Sequence, residues 1–68
     1  MAITIKVNGE ERSLERIMNI SCLMELLEVS SKGVVVERNG EILDRELYEQ
    51  IMVKDGDELE LVRLVGGG

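Results

Sequence analysis

The single helix of the predicted fold begins in the segment Asn19-Ile20-Ser21-Cys22-Leu23-Met24-Glu25-Leu26-Leu27. Its apolar residues recur at the spacing i, i+3, i+4 and i+7, which places them in one stripe along a helix. They are Ile20, Leu23, Met24 and Leu27. Asn19 is a favourable N-cap, and the cluster at residues 30–33 favours termination. The sequence therefore predicts one amphipathic helix over residues 20–29.

A β-hairpin is predicted before the helix. Apolar and polar residues alternate over residues 3–7, which indicates a strand with one buried face. Asn8-Gly9 follows, and this pair favours a type I′ turn because both central residues of that turn need positive φ. The return strand, residues 10–16, carries Leu14 as its only clear core residue. We therefore expect it at an edge of the sheet.

A second hairpin is predicted after the helix. Val34-Val35-Val36 is suited to a strand that is buried on both faces or nearly so. Asn39-Gly40 repeats the turn signal and leads into a short strand at residues 42–43. Asp44 is placed to cap a short helical turn over residues 45–48.

The last strand is predicted over residues 58–65, after a turn at Asp55-Gly56-Asp57. One face of this strand carries Leu59, Leu61, Arg63 and Val65, and the other carries Glu60, Val62 and Leu64. Both faces become apolar toward the end of the strand. The outer face is either covered by neighbouring elements or exposed as a docking surface.

The order of these elements indicates the fold class. Two strands, a helix, a strand, a short strand, a short helical turn and a final strand form the order of an α+β β-grasp, in which a mixed sheet wraps around one helix. The first and last strands are then parallel central neighbours, because the helix supplies the crossover between them. We expect residues 1–65 to form this domain and residues 66–68 a flexible C-terminal glycine tail.

Composition narrows the classes of function. The 68 residues include one cysteine and no histidine, which excludes an internal disulfide and disfavours a tetrahedral zinc site. The net charge of −6 disfavours nucleic acid and anionic membrane surfaces as partners. The sequence contains neither a signal-peptide pattern nor an apolar stretch of membrane-spanning length, so we expect a cytoplasmic protein.

No group of residues indicates catalysis or metal binding. The carboxylates of Asp55 and Asp57 are interpreted as a turn, and those of Glu58 and Glu60 as a solvated strand face, because no histidine or lysine nucleophile accompanies them. Cys22 lies opposite the apolar stripe and is interpreted as incidental. We expect neither catalytic residues nor a metal site in this chain.

Three glycines, Gly66-Gly67-Gly68, follow the last strand directly. Terminal glycines are commonly frayed chain, and they are also left behind by cloning linkers. A functional tail is the third possibility. The residues alone leave these possibilities open.

Three segments of the chain resemble the ThiS family of sulfur carriers. They are Ile5-Lys6-Val7-Asn8-Gly9-Glu10, Val36-Glu37-Arg38-Asn39-Gly40-Glu41 and Asp55-Gly56-Asp57-Glu58-Leu59-Glu60-Leu61-Val62-Arg63. The resemblance covers essentially the whole chain and implies the ubiquitin-like variant of the β-grasp. Three features depart from the family pattern: the third glycine, the link at residues 16–19 without a Gly/Thr-rich lead, and Cys22 at a position that is often small or acidic.

The resemblance implies a sulfur carrier protein of thiamin (thiazole) biosynthesis that is a co-substrate and not an enzyme. An E1-like adenylating enzyme would use ATP to activate the Gly68 carboxylate, and a sulfur donor such as a cysteine desulfurase would convert it to a thiocarboxylate. Thiazole synthase would then receive the sulfur. The chain itself would bind no cofactor.

The residues beside the tail complete the expected site. Gly66 and Gly67 would thread the partner's active site, because glycine has no side chain to obstruct a narrow channel. The predicted partner-docking surface comprises Val62, Arg63, Leu64 and Val65. We expect the isolated chain to be a monomer.

Other functions stay open at this point. Similar carriers deliver sulfur to molybdopterin, to cysteine synthesis or to tRNA thiolation. A ubiquitin-like modifier would instead link Gly68 to lysines of target proteins. In a plain β-grasp interaction module, the glycine tail would have no function.

Overall fold

The computed structural model describes residues 2–30 and 32–64. Within them the chain forms five strands, one α-helix and one 3-10 helix. The elements are β1 (Ile3–Val7), β2 (Glu10–Leu14), α1 (Ile20–Leu26), β3 (Val34–Arg38), β4 (Glu41–Ile42), the 3-10 helix (Arg45–Leu47) and β5 (Glu58–Arg63). The predicted glycine tail, residues 66–68, lies outside the described residues, as does Val65.

The five strands form one mixed sheet in the order β2-β1-β5-β3-β4. β1 and β5 are parallel neighbours, with Lys6 opposite Glu58 and Val7 opposite Leu59, while the other neighbouring pairs are antiparallel. The β-grasp order, the central position of β5 and the edge position of β2 are therefore confirmed.

The core lies between the sheet and α1. From the helix, Ile20, Leu23 and Met24 are buried. The sheet and the loops contribute Ile3, Ile5, Val7, Leu14, Val34, Val36, Tyr48, Val53 and Leu59. Leu27 is half-buried and packs against this core, so the predicted apolar stripe does face the sheet.

Both Asn-Gly pairs form the predicted hairpin turns. Asn8 and Gly9 have φ of 51° and 84°, and Asn39 and Gly40 have φ of 51° and 89°. The two-residue loops leave Val7 opposite Glu10 and Arg38 opposite Glu41. Positive φ at both central positions is the type I′ conformation, so the local prediction is confirmed at both turns.

Helix α1 begins as predicted but ends earlier. The side-chain oxygen of Asn19 accepts a hydrogen bond from the Cys22 amide at 2.7 Å, which confirms the N-cap. The prediction that the helix continues to residue 29 is wrong, because Glu28 adopts a left-handed φ of 59°. The amide of Glu28 then donates to the Glu25 carbonyl, and the amide of Val29 donates to the Met24 carbonyl. These two bonds form a Schellman motif.

Three predicted strand boundaries are also corrected. β2 ends at Leu14 and not at residue 16, because Leu14 already pairs with Ile3 at the start of β1. β4 comprises Glu41–Ile42 and not residues 42–43, although the amide of Leu43 still donates to the Val36 carbonyl. β5 ends at Arg63 instead of residue 65, because Arg63 pairs with Val34, the first residue of β3.

The acidic turn before β5 is structural, as predicted. The carboxylate of Asp55 accepts a hydrogen bond from the Thr4 amide at 2.8 Å. Asp57 is buried, accepts from the Lys54 amide at 2.8 Å and lies 3.7 Å from the guanidinium of Arg38. These contacts fix the start of β5 against β1 and β3.

Candidate docking surface and C-terminal segment

β5 is the element that leads into the C-terminal segment. It is held by β1 on one side and by β3 on the other. Beyond its last residue, the amide of Leu64 donates to the Gly33 carbonyl at 2.7 Å. The chain is therefore anchored in the sheet up to the residue that precedes Val65.

The outer face of β5, which points away from α1, changes character along the strand. Glu58 and Glu60 are exposed at its beginning. Val62 and Leu64 follow on the same face and are 42% and 57% exposed. Of the two possibilities that the sequence left open for these apolar residues, the structure gives the exposed one.

Two residues from neighbouring strands extend this apolar surface. Val35 of β3 lies directly opposite Val62 and is half-buried. Ile42 of β4 lies opposite Glu37, on the diagonal from Val35, and is 71% exposed. We call Val35, Ile42, Val62 and Leu64 the outer patch. Sequence reasoning missed Val35 and Ile42 as members, because only the strand register brings them beside Val62.

The outer patch borders an acidic region. Glu60 lies directly opposite Glu37 on β3, and Glu58 lies opposite Lys6 on β1. Like charges that face each other across two strands destabilise the pair. A partner with cationic groups next to an apolar contact area would relieve this repulsion while covering the patch.

Two cations lie on the other side of the same chain segment. A shallow cavity of about 360 Å³ is lined by Ser30, Lys32, Gly33, Val34, Arg63 and Leu64. Arg63 projects from the helix-side face of β5, because it is opposite Val34, and both Arg63 and Lys32 are exposed. The sequence did not indicate Lys32 as a site residue. Lys32 lies in the cluster that ends the helix, and no residue of that cluster predicts that Lys32 lies beside the end of β5.

Some of the predicted site residues lie in the part of the chain that the structure describes, and the others lie outside it. Val62, Arg63 and Leu64 are exposed, and their part in docking stays a prediction. Val65, Gly66, Gly67 and Gly68 lie outside the described residues, so their predicted roles are likewise predictions. Cys22 is exposed on α1.

Residues 2–30 and 32–64 contain no group of three or more His, Cys, Asp and Glu residues arranged to hold a metal ion. Over the same residues, none of the helices combines the length and the apolar character needed to cross a membrane.

Comparisons with known proteins identify similar chains. The model of the ThiS family matches residues 5–68. The sulfur carrier protein ThiS of Bacillus subtilis (strain 168) is 34% identical over 65 residues, which are 94% of this chain and 98% of that protein. The crystal structure of the thiamine biosynthesis protein ThiS from Geobacter metallireducens matches with a TM-score of 0.85 at 36% identity, covering 97% of this chain and 100% of that one.

A third relative is a longer protein. The thiazole synthase of Paramagnetospirillum magneticum (strain ATCC 700264 / AMB-1) is 47% identical to this chain over 62 residues. The match covers 91% of this chain but 19% of the length of that synthase. This chain thus spans about a fifth of that relative.

Proposed function

The chain belongs to the ThiS family, the sulfur carriers of thiamin biosynthesis, and we propose that it carries the sulfur as a thiocarboxylate on Gly68. The observation that supports this most strongly is the match to a sulfur carrier protein over nearly the full length of both chains. The family match also extends to Gly68. In this role the chain is a protein substrate of other enzymes and not a catalyst.

Activation of Gly68 needs a partner enzyme and ATP. A carboxylate is a poor electrophile, so an E1-like enzyme joins it to the α-phosphate of ATP and releases pyrophosphate. The terminal sulfur of a persulfide, supplied by a donor such as a cysteine desulfurase, attacks the acyl carbon and AMP leaves. A second thiol then reduces the resulting acyl disulfide and releases the thiocarboxylate. Glycine suits this position because no β-carbon obstructs the attack.

We propose that docking uses the outer patch, and that the partner also contacts Arg63, on the opposite face of β5, and Val65. The patch is apolar, three of its four residues are exposed, and it includes Leu64, the residue before Val65. Gly66 and Gly67 would extend through a narrow channel to the nucleotide. The acidic residues beside the patch would meet cationic groups of the adenylating enzyme and steer its approach.

Thiazole synthase is the proposed recipient of the sulfur. The thiazole synthase of Paramagnetospirillum magneticum contains a region similar to 91% of this chain. Two functions carried on one chain in one organism are commonly carried by interacting chains in another. We propose that the carrier meets both partners in the cytoplasm and binds no cofactor of its own.

Changes in tail length test the proposal without touching the folded domain. One variant carries an added leucine after Gly68, and another lacks Gly67 and Gly68. In the shortened chain the carboxylate stops about 7 Å short of its position in the full chain. Misplacement of a reacting group by even about 1 Å is enough to reduce a rate about 100-fold. Both variants should therefore lose carrier-dependent ATP-pyrophosphate exchange by the E1-like enzyme of the same host.

Thermal denaturation of the same variants separates misfolding from failed activation. Both should unfold at the temperature of the unmodified chain, because the altered positions come after β5, which ends at Arg63. A chain with leucine added before Met1 is the matched control and should support normal exchange. If the C-terminally extended variant supports exchange at the unmodified rate, Gly68 is not the reactive residue.

A further inference from the structure

The two sides of β5 are attached to the sheet unequally. On the β3 side, paired residues run from Leu59 to Arg63, and Leu64 adds a bond to Gly33. On the β1 side, paired residues stop at Glu58 and Leu59. β5 therefore extends past the end of β1, and its C-terminal half is left with a neighbouring strand on one side.

The side chain of Asn8 continues the attachment on the β1 side. The Asn8 backbone amide donates to the Leu59 carbonyl at 2.9 Å. The Asn8 side-chain oxygen accepts a hydrogen bond from the Leu61 amide at 2.8 Å. Within residues 2–30 and 32–64, this is the last hydrogen bond on that side of β5 before the tail. One side chain thus replaces the strand that would otherwise pair with Leu61.

From these contacts we propose that Asn8 is a positioning residue for the reactive tail. With Asn8 in place, β5 is held on both sides as far as Leu61, two residues before the exposed end of the strand. Without the Asn8 side chain, residues 61–64 are held on the β3 side alone. The direction in which the chain leaves the sheet is then less defined. The effect on the reaction rests on the proposed function, whereas the effect on Leu61 does not.

Asn8 satisfies two separate requirements, and substitutions separate them. Its φ of 51° suits asparagine, aspartate and glycine. The bond to Leu61 needs a side-chain acceptor as well. Asn8→Gly keeps the turn and removes the acceptor, while Asn8→Asp keeps both.

Asn39 provides a matched control within the same molecule. It has the same φ of 51° in the same kind of turn. Its side-chain oxygen accepts from the Glu58 amide at 3.0 Å, at the beginning of β5 and away from the tail. Asn39→Gly therefore removes the same type of bond from the opposite end of the strand.

Amide hydrogen exchange tests the contact directly. In Asn8→Gly, the Leu61 amide should exchange about five- to tenfold faster than in the unmodified protein, because it loses the side-chain oxygen that accepts its hydrogen bond. Asn39→Gly should leave the Leu61 amide unchanged and accelerate the Glu58 amide instead. Asn8→Asp should restore the protection of Leu61. Equal protection of Leu61 in Asn8→Gly and in the unmodified protein would overturn the proposal.

Steady-state kinetics of ATP-pyrophosphate exchange test the consequence for the tail. Because the outer patch is unaltered, Asn8→Gly should lower kcat about tenfold or more while KM for the carrier changes less than threefold. Asn8→Asp should recover kcat, and Asn39→Gly should retain it. Equal kcat for the two glycine variants would overturn the positioning role. If the unmodified chain itself supports no exchange, the proposed function fails, and the Leu61 amide still decides whether Asn8 holds β5.

Discussion

Among the residues that the structure describes, Glu28 has the backbone conformation that agrees least with its residue type. It lies just after α1 and has a φ of 59°, in the left-handed region that glycine occupies without a steric penalty. A non-glycine residue there costs roughly 1 kcal/mol of conformational energy. The hydrogen bonds of Glu28 and Val29 to the last turn of the helix, and the contact of Val29 with the core, hold it in place.

Replacing Glu28 by glycine should therefore stabilise the protein. We expect Glu28→Gly to raise the free energy of unfolding by about 0.5–1 kcal/mol, since relief of the left-handed penalty outweighs the added entropy of the unfolded chain. For a domain of this size the midpoint of thermal unfolding should rise by about 2–8 °C. Differential scanning calorimetry measures both quantities.

Glu25→Gly is the control for this substitution. It removes the same charge but lies inside α1, at an exposed position. Glycine in a helix interior costs about 1 kcal/mol, so the midpoint should fall. A fall in both variants would mean that Glu28 is not strained.

The two asparagines of the hairpin turns show which structural features short-range sequence signals can predict. Their positive φ could be predicted because an Asn-Gly pair is a short-range signal. The bond from Leu61 to Asn8 could not, because the two residues are 53 positions apart and meet only once β1 and β5 are neighbours. The end of α1 was mispredicted for a different reason: the residue with left-handed φ is Glu28, and no glycine at that position signals the turn.

At the level of elements, β5 combines a central position with an exposed apolar end. Its alternation predicted Val62 and Leu64 correctly as one face of the strand. The alternation could not predict that Val35 and Ile42 complete the outer patch, because membership depends on the register of β3 with β5 and of β4 with β3. Exposed apolar patches on small domains commonly mark docking surfaces.

A polar substitution in the outer patch should weaken docking without unfolding the sheet. We expect Val62→Gln to weaken binding to the E1-like enzyme about tenfold or more, because a residue at the centre of a docking patch loses its apolar contact there. The free energy of unfolding should change by about 0.5 kcal/mol or less, because Val62 is 42% exposed. Isothermal titration calorimetry and thermal denaturation measure the two effects.

Ser13→Gln is the matched control on the same sheet. Ser13 lies on the outer face of the edge strand β2, opposite Thr4, and is exposed. Binding by this variant should equal that of the unmodified protein. If Val62→Gln binds equally well, the adenylating enzyme contacts a different surface.

The residues that form the core and the residue proposed to carry sulfur lie in separate parts of the chain. Apart from Tyr48, the core is built from Ile, Leu, Val and Met side chains, and the described residues contain no metal-binding cluster. The fold could be predicted because helix spacing, strand alternation and two turns all indicate one topology. The pathway could not be derived from these residues, since any β-grasp shares such signals, and it came from the resemblance to sulfur carriers.

The mass of the intact chain, purified from its own host, shows whether Gly68 carries sulfur. Replacement of one carboxylate oxygen by sulfur adds about 16 mass units to the protein. We expect a species of that mass, and we expect it to be absent when the chain lacking Gly67 and Gly68 is purified in the same way. A population with only the unmodified mass, or a ladder of conjugates to other proteins in place of the sulfur-containing species, would contradict the assignment of Gly68 as the sulfur-carrying residue.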